Sequence, residues 1–117
     1  MYNSSIPIVA NPRQSHCILL VQVGSLATRT FLEYESVTDC ILGISKVYEE
    51  YLGVAHPLTP QITYNASQLL KFIEDVPDMS CLVYQQASNM YVPYNKLWIM
   101  EKVLNHFKRT IGPENIT

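Results

Sequence analysis

The run from His16 to Gln22 reads His-Cys-Ile-Leu-Leu-Val-Gln and has the character of a buried strand. Successive side chains of a strand point to opposite faces of a sheet. Both alternating sets of this run are apolar: Cys17, Leu19 and Val21 on one face, and Ile18 and Leu20 on the other. Both faces therefore need cover. Helices of the chain can cover one face, but 117 residues with a few short strands do not supply a layer for the other. This run predicts a protein that associates through its second sheet face.

Composition favours one compact intracellular domain. The chain is 48% hydrophobic and 15% charged, and a domain of this length buries roughly two thirds of its unfolded surface. The net charge of −2 gives no basic footprint for a phosphate backbone, which disfavours direct nucleic-acid binding. No apolar run approaches the ~20 residues that span a membrane, and the start is not signal-like. A soluble protein without membrane contact is expected.

The three cysteines, Cys17, Cys40 and Cys81, lie inside apolar stretches. They show neither C-x-x-C nor Cys/His ligand spacing, so the sequence predicts buried thiols rather than a metal site. An odd number of cysteines suits a reducing compartment.

Four strands are expected from short apolar or alternating runs. They lie at about 15–22, 29–34, 81–84 and 90–92. The first two are expected to form a hairpin. Pro93 is expected to end the pairing of the fourth, because proline has no amide hydrogen to donate.

Three helices are expected from capping residues and helical periodicity. Ser36, Asn65 and Asn95 each precede an apolar run with helical spacing, and side chains of these types cap helix N-termini. Gly53 is expected to end the first helix. Pro77 follows the second.

The predicted order is β-β-α-α-β-β-α, which favours an α+β fold with a four-stranded antiparallel sheet and three helices on one face. Residues 1–14 are expected to form a flexible N-terminal arm. A single domain is expected over 15–110, followed by a loose tail over 111–117. The sequence shows no internal repeat, and no second domain is expected.

No group of residues in the sequence predicts catalysis. The three histidines lie in a strand, a proline-rich loop and a helix without a shared motif: His16, His56 and His106. The four glycines are too scattered for a phosphate-binding loop. We therefore predict no catalytic, metal or cofactor-binding residues, and no enzymatic activity.

Two hydroxyl residues have an acidic residue three positions later, the pattern that acidophilic kinases recognise. Thr30 precedes Glu33, and Ser36 precedes Asp39. Helix capping is a sufficient role for Ser36. A phosphate on Thr30, in a paired strand, would disturb packing or dimerisation. Phosphorylation of Thr30 and Ser36 is a hypothesis.

Several sequence blocks resemble one known family. The blocks are SHCILLVQ at 15–22, YESV at 34–37, VYEE at 47–50, ITY at 62–64, SQL at 67–69, SCLVY at 80–84, and PYNK at 93–96 with Trp98 and Ile99. They follow one another from about Ser15 to Arg109 with nearly constant spacing. The chain resembles the enhancer of rudimentary homologue family, and Thr30 and Ser36 align with its proposed casein-kinase-type sites.

The resemblance implies a homodimer that packs two sheets face to face and has no enzymatic activity. It also implies a scaffold that binds short segments of RNA-processing or RNA-binding proteins in mRNA or small-RNA metabolism, of microRNA or piRNA type. Such a protein is expected in the nucleus, the cytoplasm or perinuclear granules. The chain departs from the family in its arm, at 23–28 and at 53–55, where basic residues are missing, so its choice of partner is expected to differ.

The residues of the second strand face are assigned to the dimer interface, because that face has polar ends that suit a wet rim. They are His16, Ile18, Leu20 and Gln22, with Arg29 and Phe31 from the next strand. A partner groove is predicted on the first long helix at Ile44, Tyr48 and Tyr51, where core packing is an equally good interpretation. Two other functions stay open: an enzyme or regulatory subunit of nucleotide metabolism, and direct RNA binding by stacking on aromatic rings.

Overall fold

A computed structural model describes residues 16–55, 58 and 64–111 of the chain. The elements are β1 (Cys17–Gln22), β2 (Thr30–Tyr34), α1 (Val37–Ala55), α2 (Ala66–Asp75), β3 (Asp78–Gln85), β4 (Met90–Tyr94) and α3 (Lys96–Ile111). A short 3-10 turn, Leu26–Thr28, lies between β1 and β2. The predicted order of four strands and three helices is confirmed.

The four strands form one sheet in the order β2-β1-β3-β4, and every neighbouring pair is antiparallel. Leu19 of β1 lies opposite Leu32 of β2 and Cys81 of β3. Since directly opposed residues share a face, this register makes each face continuous across the sheet. The expected β1–β2 hairpin is confirmed.

The core lies between the three helices and one face of this sheet. The sheet contributes buried side chains that alternate along β1 and β3: Cys17, Leu19, Val21, Met79, Cys81 and Val83. The helices contribute side chains with almost no exposed surface: Cys40, Ile44, Leu69, Ile73, Ile99 and Val103. The face predicted to lie under the helices is therefore the buried one, and the α+β fold is confirmed.

The three predicted helix caps are present. The Asn65 side chain accepts a hydrogen bond from the Gln68 amide while the Gln68 side chain accepts one from the Asn65 amide, both at 2.9 Å. Asn95 accepts from the amide of Trp98 at 3.1 Å, and the Ser36 hydroxyl accepts from the amide of Asp39 at 3.1 Å. Each cap satisfies an amide that a helix start leaves without a partner.

Pro93 and Gly53 were each expected to end an element, and both predictions are wrong. Pro93 does not end β4, because it pairs opposite Leu82. As β4 is an edge strand, its proline does not remove a hydrogen bond that an inner strand would need. Gly53 does not end α1, which continues to Ala55; a glycine inside a helix costs only about 1 kcal/mol relative to alanine.

The third strand is longer than predicted, since β3 begins at Asp78 rather than at 81. The extension pairs Asp78 with Gln22 and Met79 with Val21. The predicted arm and His56 lie outside the described residues. The predicted tail lies outside them as well, apart from Ile111 at the end of α3. Among the described residues, no helix has the length and apolar character needed to cross a membrane.

Gly43 permits the close approach of Tyr34 to α1. A Cβ atom built at Gly43 would overlap the Tyr34 ring and hydroxyl, whereas one at Gly53 meets nothing within 4 Å. Alanine normally stabilises a helix relative to glycine by roughly 0.5–1 kcal/mol. Overpacking costs typically about 1–3 kcal/mol and reverses that sign at position 43. We expect Gly43→Ala to lower the free energy of unfolding in urea and Gly53→Ala, the matched control, to raise it slightly. Equal gains in both variants would show that Tyr34 does not pack on Gly43.

Candidate functional site

The sheet face opposite the helices carries a continuous apolar patch. We define the open sheet face by six residues: His16, Ile18, Leu20, Phe31, Leu82 and Tyr91. The register places Phe31 opposite Leu20, and Leu82 opposite Ile18. Ile18, Leu20 and Leu82 are half-buried, and Phe31 is 62% exposed. The structure therefore brings four of the predicted interface residues, His16, Ile18, Leu20 and Phe31, onto one surface.

A polar group lies at one end of the open sheet face. The Nδ1 atom of His16 lies 2.7 Å from the Tyr91 hydroxyl, and its Nε2 atom lies 3.5 Å from a Glu33 carboxylate oxygen. The Tyr84 ring packs beside Tyr91 at 5.5 Å between centroids, and its hydroxyl bonds to Asn89. An apolar centre with hydrogen-bonded groups at its edge is the usual anatomy of a protein interface.

Gln22 and Arg29 form a pair at the other end of β1. Gln22 is buried; its side-chain oxygen accepts from the Arg29 Nε at 2.9 Å, and its amide donates to the Gly24 carbonyl at 2.7 Å. These bonds hold the exposed Arg29 beside the sheet. The contact of Gln22 and Arg29 with a second copy stays a prediction.

The three predicted groove residues occupy different environments. Ile44 has 0% exposed surface and belongs to the core cluster, so it is unavailable to a partner of this folded chain. Tyr48 is also mostly buried, whereas Tyr51 is 47% exposed. The groove prediction is therefore corrected: Ile44 is a core residue and does not line the surface of the groove. The helical spacing of these three residues did not indicate which of them lie on the buried side of α1 and which lie at its exposed edge.

Tyr48 and Tyr51 line an aromatic cavity of about 370 Å³ between α1 and α2. The Phe72 ring lies 4.7 Å from Tyr48 and 5.1 Å from Tyr51, between centroids. The rest of the lining is polar: Ser67, Gln68, Lys71 and Asp75. Beside this cavity the Tyr64 hydroxyl donates to a Glu49 carboxylate at 2.7 Å. Burial, together with that bond, raises the pKa of Tyr64 to about 12.

A second cavity, which the sequence analysis missed, lies between α1 and the β1–β2 pair. This apolar cavity of about 360 Å³ includes Val21, Leu32, Val47 and Val54 in its lining. Tyr51 lines it as well as the aromatic cavity. It forms only where an edge strand meets a helix, so no local sequence pattern indicates it.

The two hypothetical phosphorylation sites differ in their surroundings. Thr30 is exposed, pairs opposite Val21 and lines the apolar cavity. The Ser36 hydroxyl is used as the α1 cap. Phosphorylation of either residue stays a prediction.

The cysteines converge, which their spacing did not predict. The sulfur atoms of Cys17, Cys40 and Cys81 lie within 4.8 Å of one another, and no disulfide joins them. Within the described ranges, this is the only group of three or more His, Cys, Asp or Glu side chains arranged to hold a metal ion.

These features define a small α+β protein with helices on one face of a four-stranded antiparallel sheet and an apolar patch on the other. A family profile described as Enhancer of rudimentary matches residues 13–113. The chain belongs to the enhancer of rudimentary family. The name of this family denotes no enzymatic activity.

Several relatives match most of the chain. It is 56% identical over 90 residues to "Protein enhancer of rudimentary" of Drosophila virilis, covering 76% of this chain and 86% of that protein. It is 47% identical over 96 residues to "Enhancer of rudimentary homolog" of Dictyostelium discoideum, covering 81% and 96%. The Arabidopsis thaliana homologue is 39% identical over 103 residues, covering 86% and 94%.

Proposed function

We propose that this chain is a non-catalytic homodimeric adaptor that binds short segments of RNA-processing proteins in mRNA or small-RNA metabolism. The observation that carries the proposal is the open sheet face, an apolar patch on a member of this family. Contiguous apolar patches with a polar edge mark interaction sites in proteins.

A second copy is the occupant that fits the open sheet face. A twofold axis sets a patch against itself, so each apolar side chain contributes twice. Phe31 lies opposite the half-buried Leu20 on the neighbouring strand and is 62% exposed, so it is available to a second copy. The polar group of His16, Glu33 and Tyr91 would lie at the edge, where hydrogen bonds can still exchange with water.

The helix side of the molecule offers the place for a partner segment. Face-to-face pairing of two sheets leaves the aromatic and apolar cavities uncovered, and both are bordered by Tyr51. Short amphipathic or extended segments bind in apolar grooves of this kind. A dimer presents two equivalent sites, which raises the avidity for a partner with two copies of its segment. The family resemblance supports RNA-processing proteins as the partner class, and a nuclear or cytoplasmic location.

Affinity purification with matched variants tests the adaptor proposal. We expect the tagged full-length chain to retain RNA-processing proteins after ribonuclease treatment. Tyr51→Asp places a charge in both cavities and is expected to lose those proteins while the sheet face stays intact. Leu97→Asp adds the same charge at an exposed position of α3 and is expected to retain them.

Three results would contradict the proposal. One is the absence of RNA-processing proteins from the wild-type eluate. Another is equal retention by Tyr51→Asp and wild type. The third is salt-sensitive RNA binding by the purified chain alone, which would favour direct RNA recognition instead.

A further inference from the structure

The three cysteines are brought together from three separate elements. Cys17 begins β1, Cys40 lies in the first turns of α1, and Cys81 lies in the middle of β3. In the sheet register Cys81 lies opposite Leu19, two residues from Cys17 on the same face. All three side chains are at most 2% exposed. The fold thus brings three thiol groups close together in the core.

The spacing of the sulfur atoms matches a three-coordinate metal site. The Cys40 and Cys81 sulfurs are 3.9 Å apart, and all three lie within 4.8 Å of one another. A metal–thiolate bond of about 2.3 Å places three sulfurs about 4 Å apart around a trigonal ion. A contraction of less than an ångström at the longest pair would complete that geometry.

We propose that Cys17, Cys40 and Cys81 bind one monovalent copper ion. Soft thiolate ligands select copper(I), zinc and iron–sulfur clusters. Zinc takes four ligands in structural sites, and within the described residues the group offers three. Copper(I) is satisfied by two or three thiolates and needs no water ligand, which suits a site with apolar walls.

The thiolate, not the thiol, is the form of cysteine that binds a metal ion. On binding, each thiol that becomes a ligand releases one proton to solvent, and neither copper nor sulfur changes oxidation state.

Two of the ligands lie close to the start of their own element. Cys17 is the first residue of β1, and Cys40 is close to the start of α1. Bound copper would tie the start of α1 to β1 and β3, so binding is expected to raise the melting temperature of the chain.

Anaerobic titration of the reduced full-length chain with copper(I), in the presence of a competing chelator, tests the site. We expect one copper per chain, a thiolate-to-copper absorption band and a higher melting temperature. Copper-edge X-ray absorption of the wild-type complex is expected to report about three sulfur neighbours, the number of thiols in the site.

Two variants separate ligation from packing. Cys17→Val removes one ligand with an apolar side chain that suits a strand, and we expect at least a tenfold loss of copper affinity. Met79→Leu removes a buried sulfur of β3 outside the cluster and is expected to leave the affinity unchanged. The proposal is overturned if the wild type takes up no copper(I) against the chelator. Nitrogen or oxygen neighbours in the wild-type X-ray absorption would overturn it equally, whether or not Cys17→Val folds.

Discussion

The double variant Ile18→Arg, Leu20→Arg is expected to be a monomer under conditions in which the wild type is a dimer. The two side chains lie side by side on the open sheet face, and symmetry would place four guanidinium groups in one interface. A buried charge without a partner costs several kcal/mol. Since each 1.4 kcal/mol is about tenfold in affinity, association should weaken by at least about a thousandfold. Light scattering on the purified variant measures this directly.

The matched control variant gains the same two positive charges, but on two helices instead of the sheet. Leu42 of α1 and Leu97 of α3 are exposed on the helix side, so Leu42→Arg, Leu97→Arg is expected to remain a dimer. Phe31→Arg offers a second probe of the face, because Phe31 is largely exposed and contributes little to the core of one chain. A folded Phe31→Arg variant with undiminished self-association, together with a dimeric double variant, would refute the assigned face.

Ile44→Ala is expected to lose about 2–5 kcal/mol of stability, the cost of emptying a fully buried aliphatic site. Ile44 has no exposed surface and belongs to the core cluster of buried side chains. For a chain of this size the loss corresponds to a fall in melting temperature of roughly 10–20 °C. Thermal unfolding at a fixed protein concentration measures it.

Leu42→Ala is the control for this prediction, since Leu42 lies two residues away on the same helix but is exposed. Its melting temperature should change by no more than a few degrees. If Ile44→Ala melts like Leu42→Ala but loses partner binding, Ile44 lines a surface groove and its place in the core is wrong.

The fold was predictable where local chemistry and packing favour the same structure. Asn65 and Asn95 precede apolar runs with helical spacing, and the amides that they cap are those of Gln68 and Trp98. The alternation of β1 identified which face the helices cover. Pro93 and Gly53 were misjudged because their effect depends on tertiary position. Proline is tolerated in an edge strand, and glycine in a helix that packing already holds.

The candidate sites were predictable only where a single element carries the signal. The open sheet face follows from β1 alone, through Ile18 and Leu20. The apolar cavity depends on where α1 crosses the β1–β2 pair. The cysteine cluster depends on how β1 and β3 pair beneath α1, so residues distant in sequence come together. The burial of Ile44 depends in the same way on the path of α1 over the sheet. A helix with apolar residues at several turns does not indicate which of them reach the surface.

Sedimentation equilibrium of the wild-type chain at micromolar concentration is the most direct measurement of face-to-face pairing. A mass of twice 13.4 kDa is the expected result, and it should fall to that of one chain in the Ile18→Arg, Leu20→Arg variant. A wild-type mass of 13.4 kDa over the whole micromolar range would contradict the homodimer and leave the open sheet face without its proposed occupant.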